Sequence, residues 1–139
     1  MATSRVRSVL GGLVGVVTSG VTVFAVESLG HRLFPVPAGF DPSDVDAMRA
    51  YVAGLSIGPI AWVLLAWVLG TFVGGVVAIR IAPTRPVLMA GGVAGMILLG
   101  AVMNLVTIPH PIWMVLATGL FVPAAAVAAV ATMPRSRAL

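Results

Sequence analysis

The chain has 139 residues, of which 60% are hydrophobic and only 9% charged, with a mean hydropathy of +1.13. A soluble domain is about 25% charged, so this chain lacks the polar groups to cover its own surface, and lipid is its expected solvent. The formal charge of +4 comes from arginines scattered at segment ends, which excludes a nucleic-acid-binding stripe. The absence of cysteine excludes disulfides, thiolate zinc sites and cysteine nucleophiles.

The first apolar segment is residues 9–29, behind a short tail with Arg5 and Arg7. As a helix it is about 31 Å long, the thickness of a hydrocarbon core. It is long for the apolar part of a secretory leader, and no A-x-A cleavage pattern follows, so it is expected to stay as a spanning helix. Residues 30–56 form the one long connection. Pro35, Pro37, Gly39 and Pro42 break its first half. Asp41 is then expected as an N-cap, with Pro42 in the first turn. The spacing of Val45, Met48 and Val52 predicts an amphipathic helix over 42–53, lying at the membrane surface.

The second span is expected over 58–81, followed by a break containing Pro83 between Arg80 and Arg85. The third is expected over 86–107. Ile108-Pro109-His110-Pro111 stops that helix and starts the next. The fourth span, 111–132, contains Pro123, where a kink is expected. The fold class is thus an all-α polytopic membrane protein: a single domain of four transmembrane helices over residues 1–139, plus one short helix in the outer loop.

Orientation follows from the arginines. Arg5, Arg7, Arg80, Arg85, Arg135 and Arg137 fall on one side, against Arg32 and Arg49 on the other with Asp41, Asp44 and Asp46. The richer side is the expected cytoplasmic one, which puts both termini inside. Trp62 and Trp113 start spans on the outer side, where interfacial anchors belong, whereas Trp67 lies deeper, as a packing residue. A composition rich in Ala, Val, Gly, Pro and Arg, with no lysine, fits a GC-rich coding genome. A bacterial cytoplasmic membrane is the expected location.

Gly11-Gly12-Leu-Val-Gly15 recurs as Gly91-Gly92-Val-Ala-Gly95, and Trp62-Val-Leu-Leu-Ala66 as Trp113-Met-Val-Leu-Ala117. These likenesses suggest tandem helical hairpins related by an axis along the membrane normal. Chance similarity between glycine-rich spans explains them equally well. Gly11 and Gly15, Gly70 and Gly74, and Gly91 and Gly95 each have the small-xxx-small spacing that lets helix backbones approach. Thr18 and Thr22 extend the first pair into one small stripe. Such faces serve packing inside the bundle or a seam with a second copy or another membrane protein.

Few residues carry chemistry. Glu27 is the only acid in an apolar span, Asn104 the only carboxamide, and His31 and His110 the only histidines. The topology puts all four near the outer face, with Tyr51 of the surface helix, Asp46 and Arg49 available above them. Glu27 and His31, at i and i+4, share a helix face if the first helix continues past Gly30. Together these groups suggest an outward polar pocket for a small ligand, ion or proton, in a transport or accessory role. Alternatively, Glu27, His31 and His110 suit a divalent metal such as zinc, in a membrane-embedded enzyme. A third possibility is that they are structural, in a subunit that packs through glycine-lined faces. No nucleophile elbow, phosphate loop or H-E-x-x-H motif is present in the sequence.

Overall fold

The computed structural model describes residues 2–134, with side chains from Ser4 onward. The described residues are helical or in short connections, with no strand. Helix α1 is Ala2–Leu33, α2 is Val45–Ala53, α3 is Ile57–Ile81, α4 is Pro86–Thr107 and α5 is Ile112–Ala131. Four of them, all but α2, are long and apolar enough to cross a bilayer. The protein is an all-helical membrane bundle. Arg135 and Arg137, counted above on the cytoplasmic side, lie outside the described residues.

Pro86 opens α4, and Ile108 beyond its end is already extended, ahead of Pro109. The helix therefore covers the expected 86–107. Helix α1 instead outruns the apolar segment at both ends. The chain from Ala2 to Phe34 contains no proline, and backbone bonding continues until Pro35. Lipid limits where the apolar side chains stop; it does not limit where hydrogen bonding stops. Helix α5 runs uninterrupted through Pro123.

Helix α3 is the hub, packed against α1, α4 and α5. Helix α1 lies at the edge, against α3 and to a lesser extent α4, with no close backbone approach to α5. At one end of the bundle, the arginine end, the Arg7 guanidinium donates to the Ile81 carbonyl at 3.1 and 3.2 Å. At the other, the loop end, the Trp62 indole Nε1 donates to the Val26 carbonyl at 2.7 Å. These three bonds, from two side chains, fasten the α1–α3 hairpin near its extremities.

Between them the hairpin is a small-residue seam. A methyl added at Gly15 would lie 2.8 Å from the Gly74 carbonyl, and one added at Gly74 would lie 2.5 Å from the Gly15 carbonyl. Gly11 faces Ala78 and Gly70 faces Ser19 in the same way. The buried stripe on α1 is Gly11, Gly15 and Ser19, and not the expected Gly11, Gly15, Thr18 and Thr22. Thr22 turns its hydroxyl back to the Thr18 carbonyl at 2.8 Å.

Gly91 and Gly95, expected at a packing face, are exposed, and a methyl added at either meets nothing within 4 Å. The sequence likeness of the two hairpins thus does not carry over into equivalent packing. α3 meets α4, whereas the pair that a two-fold axis would match to it, α1 and α5, does not meet.

Candidate functional site

The loop end of the bundle holds a cavity of about 540 Å³. α1 contributes Glu27, Gly30 and His31 to its wall, α3 contributes Trp62 and Val63, and α4 contributes Asn104. His110 enters from the turn between α4 and α5, and α2 contributes Met48, Tyr51 and Val52. Five polar residues far apart in the chain, Glu27, His31, Tyr51, Asn104 and His110, therefore line one space. Asp46 and Arg49 do not line it. They face solvent as an exposed i, i+3 ion pair at 4.0 Å, a geometry worth little in water.

The cover is built locally. Asp44, not Asp41, is the N-cap of α2: its carboxylate accepts from the Asp46 and Ala47 backbone N–H groups at 2.9 and 3.1 Å. The helix accordingly begins at Val45 and not at Pro42. Asp41 instead closes a tight turn, accepting from the Ser43 N–H at 2.8 Å and its hydroxyl at 2.7 Å. Those two bonds hold the Asp41 carboxyl below its ordinary pKa, the side-chain bond contributing more. Gly39 in the same loop takes φ +81°, a left-handed conformation that suits glycine.

The inward face of α2 is Met48, Tyr51 and Val52, continued by Leu55. Val45, expected on that face, is 53% exposed. The Phe40 ring packs at a 45° tilt against Tyr51 with ring centroids 4.9 Å apart, joining the loop to the helix above the cavity. Trp62, near the loop-end start of α3, is a half-buried wall of the cavity. It is pinned by its bond to Val26 and by an edge contact with Phe34 at 6.4 Å. Gly30 exists for this ring: a methyl there would lie 2.5 Å from Trp62 Cδ1. The wall formed by Phe34 and Trp62 escaped sequence reasoning, because an aromatic near a span end looks like a headgroup anchor. The Gly30–Trp62 match needs the hairpin's register to be seen.

Because α1 continues to Leu33, Glu27 lies about 9 Å below the helix end. It is half-buried, and among the described residues no cation stands within ion-pairing distance of it. Its electrostatic neighbours are the His31 ring and the Trp67 indole. Asn104 Oδ1 is buried without a hydrogen-bond partner. The His110 Nδ1 stands 2.7 Å from the Ile108 carbonyl. A carbonyl only accepts, so Nδ1 carries the proton there, which leaves Nε2 as the ring's one nitrogen able to accept. The cavity is therefore rich in acceptors: a carboxylate, a free carboxamide oxygen and an imidazole nitrogen. Among the described residues no three of His, Asp and Glu stand close enough to hold a metal ion. The expected metal set of Glu27, His31 and His110 lines a common wall without converging.

A second cavity, of about 310 Å³, lies lower, between α1 and α4. Gly20, Phe24, Met96 and Gly100 form its rim, and Trp67 its back. Glu27 and Asn104 line both cavities. Comparison of the chain with family models, with curated proteins and with solved structures returns no match.

Proposed function

We propose that this protein is a ligand-binding protein of the bacterial cytoplasmic membrane. Its site faces outward and takes a small molecule that donates hydrogen bonds, such as a primary ammonium group. The observation that supports this is the set of acceptors lining the loop-end cavity: Glu27, with no ion-pair partner among the described residues, the unpartnered Asn104 oxygen and the His110 ring. Burying the Asn104 oxygen without a donor costs free energy, and a bound donor offsets that cost. Orientation follows from the described arginines. Arg5, Arg7, Arg80 and Arg85 belong to the arginine end, against Arg32 and Arg49 at the loop end. The loop end is then outside, with both termini in the cytoplasm.

The hydroxyls at mid-depth favour binding over conduction. Thr71 donates to the Trp67 carbonyl at 2.8 Å, and Thr22 to Thr18. These two groups are spent on their own helices, and the hydroxyls of Ser19 and Thr118, buried without a partner, sit on α1 and α5, which do not meet, so no continuous polar path leads towards the arginine end. Any transport role is accessory, handing ligand to or from a partner. A second role, as a subunit of a larger membrane assembly, is favoured by the open faces of Gly91 and Gly95 on α4. Neither glycine is used within the protomer.

The test is direct titration of the purified protein in nanodiscs with ethanolamine, followed by the emission of Trp62 in the cavity wall. Saturable change is expected, weakened at least about tenfold in Glu27→Gln, the worth of one hydrogen bond to a charged group. No saturable change, or an unaltered response in the variant, sinks the proposal.

A further inference from the structure

Helices α1 and α4 touch along part of their length and line a cavity along another part. They are close at the arginine end, where a methyl added at Gly15 would lie 3.1 Å from Val93, and one at Gly11 would lie 3.4 Å from Met89 Sδ. Towards the loop end the second cavity fills a gap between them. Its rim residues Gly20, Phe24, Met96 and Gly100 are exposed on the outside of the bundle. From Gly20 to Glu27 the gap runs about 10 Å along α1. That length lies at the depth of acyl chains, so what meets the rim is lipid. A methyl added at Gly20 or Gly100 meets nothing within 4 Å. The gap thus has glycine at its mouth and the acceptors Glu27 and Asn104 at its upper end, where it meets the loop-end cavity.

We infer that the ligand is a membrane amphiphile, a lipid bearing a primary ammonium headgroup. Its head occupies the loop-end cavity and one chain leaves sideways through the gap between α1 and α4. This rests on the binding role proposed above and names the ligand's class. Both cavities are mainly apolar and share Glu27 and Asn104, but the upper one adds His31, Tyr51 and His110, whereas the lower one adds no charged or hydroxyl-bearing side chain and opens to lipid, so the pair matches the head and the chain of such a molecule. The shared lining by Glu27 and Asn104 places acceptors where head and chain join. A chain that moves from bulk lipid into an apolar gap gains nothing from the hydrophobic effect, since lipid is as apolar as the gap. Discrimination therefore falls on the head. A primary ammonium offers three N–H donors to Glu27 and Asn104, whereas a quaternary ammonium has the same charge and no donor.

The experiment places the protein in phosphatidylcholine nanodiscs carrying guest lipids brominated at mid-chain, in a Trp113→Phe background that keeps Trp62 for the ethanolamine titration, with quenching of Trp67 read as the difference from a Trp67→Phe control. Trp67 lies about 15 Å along α3 from its loop-end start, at the depth of those bromines, and backs the gap. Mid-chain-brominated stearylamine, whose ammonium adjoins its chain, is expected to quench at about tenfold lower mole fraction than its N-trimethyl analogue, the worth of one charge-assisted hydrogen bond. Glu27→Gln is expected to remove that preference. Gly100→Leu is expected to abolish saturable quenching while ethanolamine still titrates. Gly92→Leu, at another open glycine of α4 that lines neither cavity, is expected to leave quenching unchanged. Equal quenching by both lipids, or indifference to Gly100→Leu, overturns the inference; if ethanolamine still binds, the proposed function survives. Loss of both responses overturns both.

Discussion

The α1–α3 seam makes the firmest quantitative prediction, because its contact is between backbones and has nowhere to relax. In Gly74→Ala the new methyl would stand 2.5 Å from the Gly15 carbonyl and 2.7 Å from Ser19 Cβ. Ordinary van der Waals contact begins at 3.4 Å, so the helices must part by about 0.9 Å locally. Overpacking of this kind costs about 1–3 kcal/mol, and a gap of that width forfeits a quarter to a half of the dispersion at neighbouring contacts. Alanine's better helix propensity returns at most about 1 kcal/mol. The expected net effect is a loss of roughly 1–2 kcal/mol. In Gly95→Ala the methyl meets nothing, so the same substitution one helix away is neutral or stabilising by about 0.5–1 kcal/mol. Reversible unfolding in mixed micelles, followed by far-ultraviolet circular dichroism, measures both. Equal stabilities for the two variants, or greater damage at Gly95, would refute the seam.

Gly30→Ala drives a methyl into the Trp62 ring. The ring must leave its bond to Val26, and its emission is expected to shift to the red as it meets water. Asp44→Ala removes the N-cap of α2, worth about 1 kcal/mol, and amide exchange over Val45–Ala53 is expected to accelerate while the spans stay protected. Asp41 holds its turn through a carboxylate whose pKa is lowered by Ser43. A lowered folded value means the contribution is complete above the ordinary aspartate pKa of about 3.9 and is lost as pH falls through the folded value below it. Exchange of the Ser43 amide, corrected for intrinsic rate, is expected to rise only in that acidic window, and Asp41→Ala is expected to abolish the pH dependence.

The spans were legible because apolarity and proline mark where α4 and its neighbours sit. The ends of α1 were not, since a helix stops where its hydrogen bonding stops, and no apolar count shows that. Spacing assigned Gly91 and Gly95 a face, as it did Gly11 and Gly15, but spacing cannot say which face meets a neighbour; of these two pairs only Gly11 and Gly15 do so within the protomer. Sequence favours Asp41 over Asp44 as the cap of α2 because Pro42 follows it, as proline commonly opens a helix. Only the bonds to Asp46 and Ala47 decide for Asp44. The polar set Glu27, His31, Tyr51, Asn104 and His110 stood out because so few residues of this chain dislike lipid. The shape around them, set by Phe34, Trp62 and the gap between α1 and α4, depends on helix register and crossing that no single segment records.

The clasp between Arg7 and the last carbonyl of α3 has a practical consequence. Positive charge at this end is the natural target for anyone wishing to invert the protein in the membrane by moving arginines. Replacing Arg7 would, however, also release the hairpin it ties, so a variant with altered topology would be hard to tell from one whose first helix has come loose. Arg5, Arg80 and Arg85 have no such attachment among the described residues, and an inversion experiment that spares Arg7 would change orientation without untying the molecule.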